Sequence, residues 1–217
     1  AAGRFSTFLI PANTMGKKLK PDSSVQAVDG PQLLDEIRDL GRQYQLFPAY
    51  TSDGWIRQCE EMYAAKFFVS GDKDNRDAVM GVIDQRRAKQ LVVKSYPRWL
   101  QLCRQPLNCW YRLKRLPVIH KPPYDFNYVT AVLPLVSPKI NAESILPVLN
   151  SVLVEAMQRQ AEYVAVGMHE SHKSYPLVRK LSKHTFDAEV FLVSWQFNDE
   201  SLFGLDGRPT YLELGWL

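Results

Sequence analysis

The sequence predicts a mixed α/β domain: a twisted central sheet flanked by helices, with a basic helical insertion before the central strand. Two patterns carry this expectation. Residues 128–195 read strand, polar turn, helix, strand, helix, strand, and the strands (YVTAVLPLV, AEYVAVGMH, FDAEVFLVSW) are almost continuous apolar runs of β-branched and aromatic residues. Such runs arise when helices cover both faces of a sheet. Residues 24–84 place a strand, two helices and a hairpin ahead of that core.

Taken in order, residues 1–22 hold one strand (4–10) and a linker rich in Pro, Gly and Lys. This strand either pairs with the edge of the main sheet or ends a preceding domain, and 23–217 then form the main domain. Residues 24–29 alternate as a short strand. Gly30-Pro31 opens a helix with Leu34, Ile37, Leu40 and Tyr44 on its apolar face, Pro being pre-set for a first helical position. Thr51-Ser52-Asp53 caps a second helix running to Tyr63. Residues 65–70 and 78–84 form a hairpin around a turn-rich loop.

The insertion spans about 85–127. Residues 90–95 extend the hairpin strand, Pro97 starts a helix, Pro106 interrupts it, and a second short helix resumes until Pro117. After the strand at 128–136, the helix at 144–160 repeats Ile145, Leu149, Val152, Leu153 and Ala156 at the 3.6-residue period. A further helix over 170–182 carries Leu177, Val178 and Leu181. The last strand, 210–217, is expected to pair antiparallel with 188–195.

Composition narrows the class. Hydrophobic residues make up 46% of the chain, enough for a sizeable core. No apolar run approaches the roughly 20 residues that span a bilayer, and the apolar start at 8–11 is too short for a signal peptide. The first residue is not Met, which leaves room for a preceding segment. Cys59, Cys103 and Cys109 form no CxxC pair. They read as small buried hydrophobes in a reducing cytoplasm.

Charge is uneven. Ten of the 27 Lys and Arg residues (Arg86, Arg87, Lys89, Lys94, Arg98, Arg104, Arg112, Lys114, Arg115 and Lys121) lie between Gln85 and Tyr124, where there is no acid. With Trp99, Trp110 and Tyr111 among them, residues 86–121 are a candidate surface for an anionic ligand or a membrane. No nucleic-acid reading module accompanies them. The plainer reading is a pair of amphipathic helices with their tryptophans turned inward.

The order strand, two helices, hairpin, central strand, helix, strand, helix, closing hairpin resembles the GNAT N-acyltransferase superfamily over about residues 24–217. The resemblance implies acetyl-CoA or another acyl-CoA as cofactor and a small-molecule or peptide amine as acceptor. It implies that Leu133, Leu135 and Val136 lend backbone to the coenzyme, with oxyanion help from an N–H near Leu135. Lys139, Ile140, Asn141, Ala142 and Ser144 would then hold its pyrophosphate. Where the family has a turn of the form Gln/Arg-x-x-Gly-x-Gly/Ala, this sequence has Ser137-Pro138-Lys139-Ile140-Asn141-Ala142-Glu143-Ser144, with neither glycine nor arginine. Where the family places its tyrosine acid this chain has Val178, and Tyr175, three residues earlier, is the candidate to replace it. Asp84, Glu189 and Glu213 are available as bases. His169 and His172 stand three apart without a third ligand fixed by spacing, so no metal site is expected. The departures leave a second function open: a GNAT-like binding or structural module without catalysis, one half of a tandem protein.

Overall fold

The computed structural model describes residues 3–14, 24–48, 54–72, 75–89, 91–114, 116–191 and 206–214. The expected cap at 51–53, Arg115, and the strand ends at 192–195 and 215–217 lie outside these residues.

Among the described residues, seven strands form one sheet in the order β2-β3-β4-β7-β8-β1-β9. They are β1 (Arg4–Pro11), β2 (Val25–Val28), β3 (Lys66–Asp72), β4 (Asn75–Ile83), β7 (Tyr128–Val136), β8 (Tyr163–His169) and β9 (His184–Glu189). β7 and β8 run parallel and the other ladders of this sheet are antiparallel. Two short strands, β5 (Val92–Val93) and β6 (Tyr124–Asp125), pair with each other beside it. This is the mixed, twisted sheet flanked by helices that the sequence predicts, with a strand–helix–strand core at 128–169.

Helices cover both faces. α4 (Ile145–Gln158) and α5 (Tyr175–Leu181) pack on one side, where Val148, Leu149, Val152 and Leu153 meet Phe8, Ile10, Met80, Val129 and Val166 with no solvent exposure. Burying each such side chain contributes about 1.5–3 kcal/mol. α1 (Leu34–Gly41) and α2 (Gly54–Tyr63) cover the other side, where Leu33, Ile37 and Ile56 meet Phe67, Val79 and Leu135.

Several expectations change. β1 lies inside the sheet, paired along seven residues with β8 and six with β9. The described part of 210–217 does not pair with β9, and Thr210 makes a parallel bridge to Gln45 instead. Residues 92–93 pair with 124–125 rather than lengthening the hairpin. The insertion's helical part is one continuous helix, α3 (Arg98–Leu113), which runs through Pro106, and Trp99 and Trp110 are both more than half exposed rather than turned inward, Trp99 also bordering the cleft beneath the helix. Finally, Cys103 and Cys109 on that helix are exposed rather than buried. α5 starts at Tyr175 rather than 170, because 169–174 form turns and Pro176 sits in the first helical turn.

Candidate functional site

β7 and β8 pair only from Tyr128↔Tyr163 to Ala131↔Val166, and no further pairing follows. The reason lies in β7. Against β4, Gly81 faces Val132 and Val79 faces Leu135, so β7 carries one extra residue there. This is a bulge, and Leu133 absorbs it with φ at +54°, a conformation that costs a side-chain-bearing residue about 1 kcal/mol or more. The next residue, Pro134, has no N–H to offer a ladder. The parallel strands therefore part into a wedge floored by 132–136.

The chain fills this wedge with its own side chains. The Leu133 N–H, buried, donates to Glu213 Oε2 at 2.9 Å, and the Tyr211 hydroxyl donates to the same oxygen. His172 Nε2 donates to the Pro134 carbonyl at 2.9 Å while its Nδ1 accepts the Ser174 N–H at 3.1 Å. Both ring nitrogens are thus satisfied only in the neutral form, and burial holds the imidazole pKa down at about 4. The Tyr44 ring stacks on His172, 5.6 Å between centroids and 4° from parallel. Gln43 Nε2 donates to the Val136 carbonyl at 2.8 Å.

The turn after β7 is held from outside as well. Lys173 Nζ donates to the carbonyls of Ser137 and Ile140, and burial lowers its pKa. Ser174 Oγ donates to the Ala142 carbonyl at 2.9 Å. Asn141 Oδ1 accepts the Glu143 N–H at 3.4 Å, so Asn141 is the cap and Ser144 is not. Lys139 is exposed. Leu133, Leu135 and Val136 are fully buried, with Leu135 and Val136 in register with Val79 and Ala78 of β4. The N–H that turns into the wedge is therefore that of Leu133.

Tyr175 is buried on the α4 side, edge-on to Phe8 at 5.1 Å. Its hydroxyl lies 2.7 Å from Ser6 Oγ, which donates to Asp187 at 2.6 Å. Tyr175 is thus joined to β1 and β9, whereas His172 reaches β7. Asp84 is held by Arg86, which also bonds Asn127 and the Arg159 carbonyl. Glu189 is exposed, and Glu213 is the one of the three candidate bases that enters the wedge. His169 Nδ1 is bonded to Ser171.

On the α1–α2 side, past the closed end of the wedge, the sheet is left open to two adjoining clefts. The smaller, of about 200 Å³, lies against Thr130, Ala165 and Leu214. The larger, of about 500 Å³, lies beneath α3 against Leu100, Leu107, Tyr111, Tyr124, Tyr163 and Phe186. Leu9, Leu91, Phe126 and Phe186 border both. Three polar residues of the larger cleft are bonded: Glu162 to His120 at 2.7 Å, and the Tyr96 hydroxyl donating to Tyr124 at 2.9 Å. Burial pushes the Tyr163 phenol up to about 12. The volume falls within the range of small-ligand sites.

Sequence reasoning weighed His172 only as a metal ligand and missed Lys173, Gln43 and Tyr211 as parts of the site. One signal was present: a proline in the middle of an apolar central strand marks a place where the neighbouring ladder must stop.

No protein-family profile matches the sequence, and no curated protein matches it. Among solved structures, the chain is similar to a protein named as a GNAT-family acetyltransferase from Novosphingobium aromaticivorans, with 9% identity and a TM-score of 0.45 over 85% of this chain and 62% of that one. It is also similar to a conserved protein of unknown function from Staphylococcus epidermidis, with 8% identity and a TM-score of 0.44 over 86% of this chain and 58% of that one. The chain thus spans about three-fifths of the length of each, and at these values the likeness bears on neither substrate nor mechanism.

Proposed function

We propose that this chain is an acyl-CoA-dependent N-acyltransferase whose acyl thioester is received in the wedge between β7 and β8. One observation carries the reading: at the point of divergence the Leu133 N–H is presented to an anionic oxygen, that of Glu213. A backbone N–H that stabilises a carboxylate oxygen in a buried site is suited to an oxyanion. The residues fit the thioester end of an acyl-CoA. They fit its pyrophosphate poorly, since the turn at 137–144 has no glycine and its carbonyls are held by Lys173. In this reading 133–136 line the pantetheine arm, and Lys139, Ile140, Asn141, Ala142 and Ser144 border the phosphates.

A bound acyl-CoA would supply an electrophilic carbonyl carbon. Leu133 would hold that carbonyl's oxygen. Glu213, moved off the Leu133 N–H, would be the carboxylate beside it that accepts the proton of the attacking amine and passes it to the coenzyme thiolate released as the C–S bond gives way to the C–N bond. The apolar clefts under α3 would receive the acyl chain or the acceptor.

A second reading has its own observation. With Leu133, Pro134 and the turn carbonyls all bonded to Glu213, His172 and Lys173, the wedge serves as packing, and the domain is a binding or structural module. Thermal shift separates the two. Acyl-CoA at 100 times its dissociation constant stabilises the chain by about 2.7 kcal/mol. Acetyl-CoA and a long-chain acyl-CoA should both be titrated, with thiol release on adding amines as the activity readout. Absence of any shift at millimolar concentration, in the native chain and in Glu213→Ala, refutes the acyltransferase reading.

A further inference from the structure

We propose that α3 docks this protein on the surface of an anionic lipid bilayer, a proposal that does not depend on the acyltransfer reading. The outward face of α3 is apolar along its whole length. Leu102 and Leu113 are 82% and 80% exposed, Trp99 and Trp110 are 63% and 55% exposed, and Pro106 and Cys109 are exposed between them. At 100° per residue these positions fall within one stripe about 100° wide.

The stripe cannot turn inward, because the opposite face is fixed. Asn108 is buried and bonds the Ile119 backbone in both directions, donating to its carbonyl at 2.9 Å and accepting its N–H at 2.7 Å. Leu100, Leu107 and Tyr111 line the cleft below. One face of α3 is therefore held over the cleft by Asn108, and the other presents tryptophan and leucine to solvent.

Charge identifies the occupant. Arg98, Arg112 and Lys114 flank the stripe, Lys94 and Lys121 lie on the adjoining segments, and no acid occurs between Gln85 and Tyr124. A surface that is at once anionic and apolar meets this pattern, and an anionic bilayer is such a surface: aromatics enter the headgroup region while cations stay among the phosphates. α3 has 16 residues, about 24 Å at 1.5 Å each, too short to cross the hydrocarbon core, so it lies in the plane of the interface. The docked helix would also set the roof of the large cleft against the lipid.

Flotation of the whole chain with vesicles tests this, using phosphatidylcholine alone and phosphatidylcholine with phosphatidylserine. The native protein is expected to float with the anionic vesicles, with a blue shift of tryptophan emission, and to be partly released by salt. Leu102→Glu/Leu113→Glu, both at exposed positions, is expected to keep the native melting temperature and lose about tenfold or more in partitioning. Three outcomes overturn the proposal: no flotation at low salt, flotation unchanged by the double substitution, or a native dimer that the double substitution makes monomeric without any vesicle binding. The last would assign the stripe to a second copy of the chain. Should the double variant fail to fold, the single Trp99→Ser and Trp110→Ser variants repeat the comparison.

Discussion

His172 makes stability depend on pH in a way that tests how firmly the wedge is closed. Its ring is neutral when folded, with a pKa held by burial at about 4, against an ordinary value of 6.5. Above pH 6.5 neither the folded nor the unfolded chain protonates it. Between pH 6.5 and 4 the unfolded chain takes up a proton that the folded chain refuses, so stability falls as pH falls. Below pH 4 both states bind the proton and the loss levels off. From pH 7 to pH 5 the expected loss is about 2 kcal/mol, which in a chain of this size is roughly 4–8 °C of melting temperature. The assay is melting by circular dichroism at pH 7, 6 and 5 for the native chain and for His172→Gln, whose amide can still donate to the Pro134 carbonyl. His184, also lowered by burial, contributes in the same window but equally to both proteins. The native chain should lose about 2 kcal/mol more than the variant. Parallel pH curves would mean that His172 titrates normally, so that it is not locked between Pro134 and Ser174.

Three further perturbations probe the same region and its support. Glu213→Ala leaves the buried Leu133 N–H without its acceptor and should cost about 1–3 kcal/mol in urea unfolding; Glu213→Gln keeps an acceptor and should cost less, while abolishing amine-dependent thiol release if Glu213 is the base. Gly167→Ala would place a Cβ 2.5 Å from Phe5 Cζ and 2.7 Å from Leu214 Cβ; a loss of about 1–3 kcal/mol is expected, with faster amide hydrogen exchange at 206–214 as that segment is pushed out. Glu155→Gln removes the charge that meets Arg159 and Lys66, both at 2.8 Å; since Arg159 is largely buried, roughly 3 kcal/mol should be lost, and a change below 1 kcal/mol would show that the guanidinium finds water.

The strands and the α4 helix were legible because their signals are local. Continuous apolar runs mark strands covered on both faces, and the period of Leu149, Val152 and Leu153 fixes the buried side of α4. The position of β1 was not legible, since nothing in residues 4–11 says which edges it will meet. It pairs along six residues with β9 and seven with β8, both distant in the chain. Pro106 misled for a physical reason too. A proline removes one N–H and crowds the preceding turn, but Asn108 anchors the helix two residues later to Ile119, and that tertiary contact outweighs the local penalty.

The candidate site shows the same division. Its backbone could be read from the sequence as a proline in a central strand, which must end one ladder. Its occupants could not, because Glu213 and His172 come from segments 80 and 38 residues away from their partners on β7. Their arrangement follows from a single accounting demand. Once Leu133 takes the left-handed bulge and Pro134 contributes no donor, the Leu133 N–H and the Pro134 carbonyl are buried and have no neighbouring strand to pair with, and such groups must find partners. A ligand strand or arm, or the chain itself, can supply them. Here the carboxylate and the neutral imidazole do so, which is why the same two side chains decide both how stable the wedge is and whether anything else can lie in it.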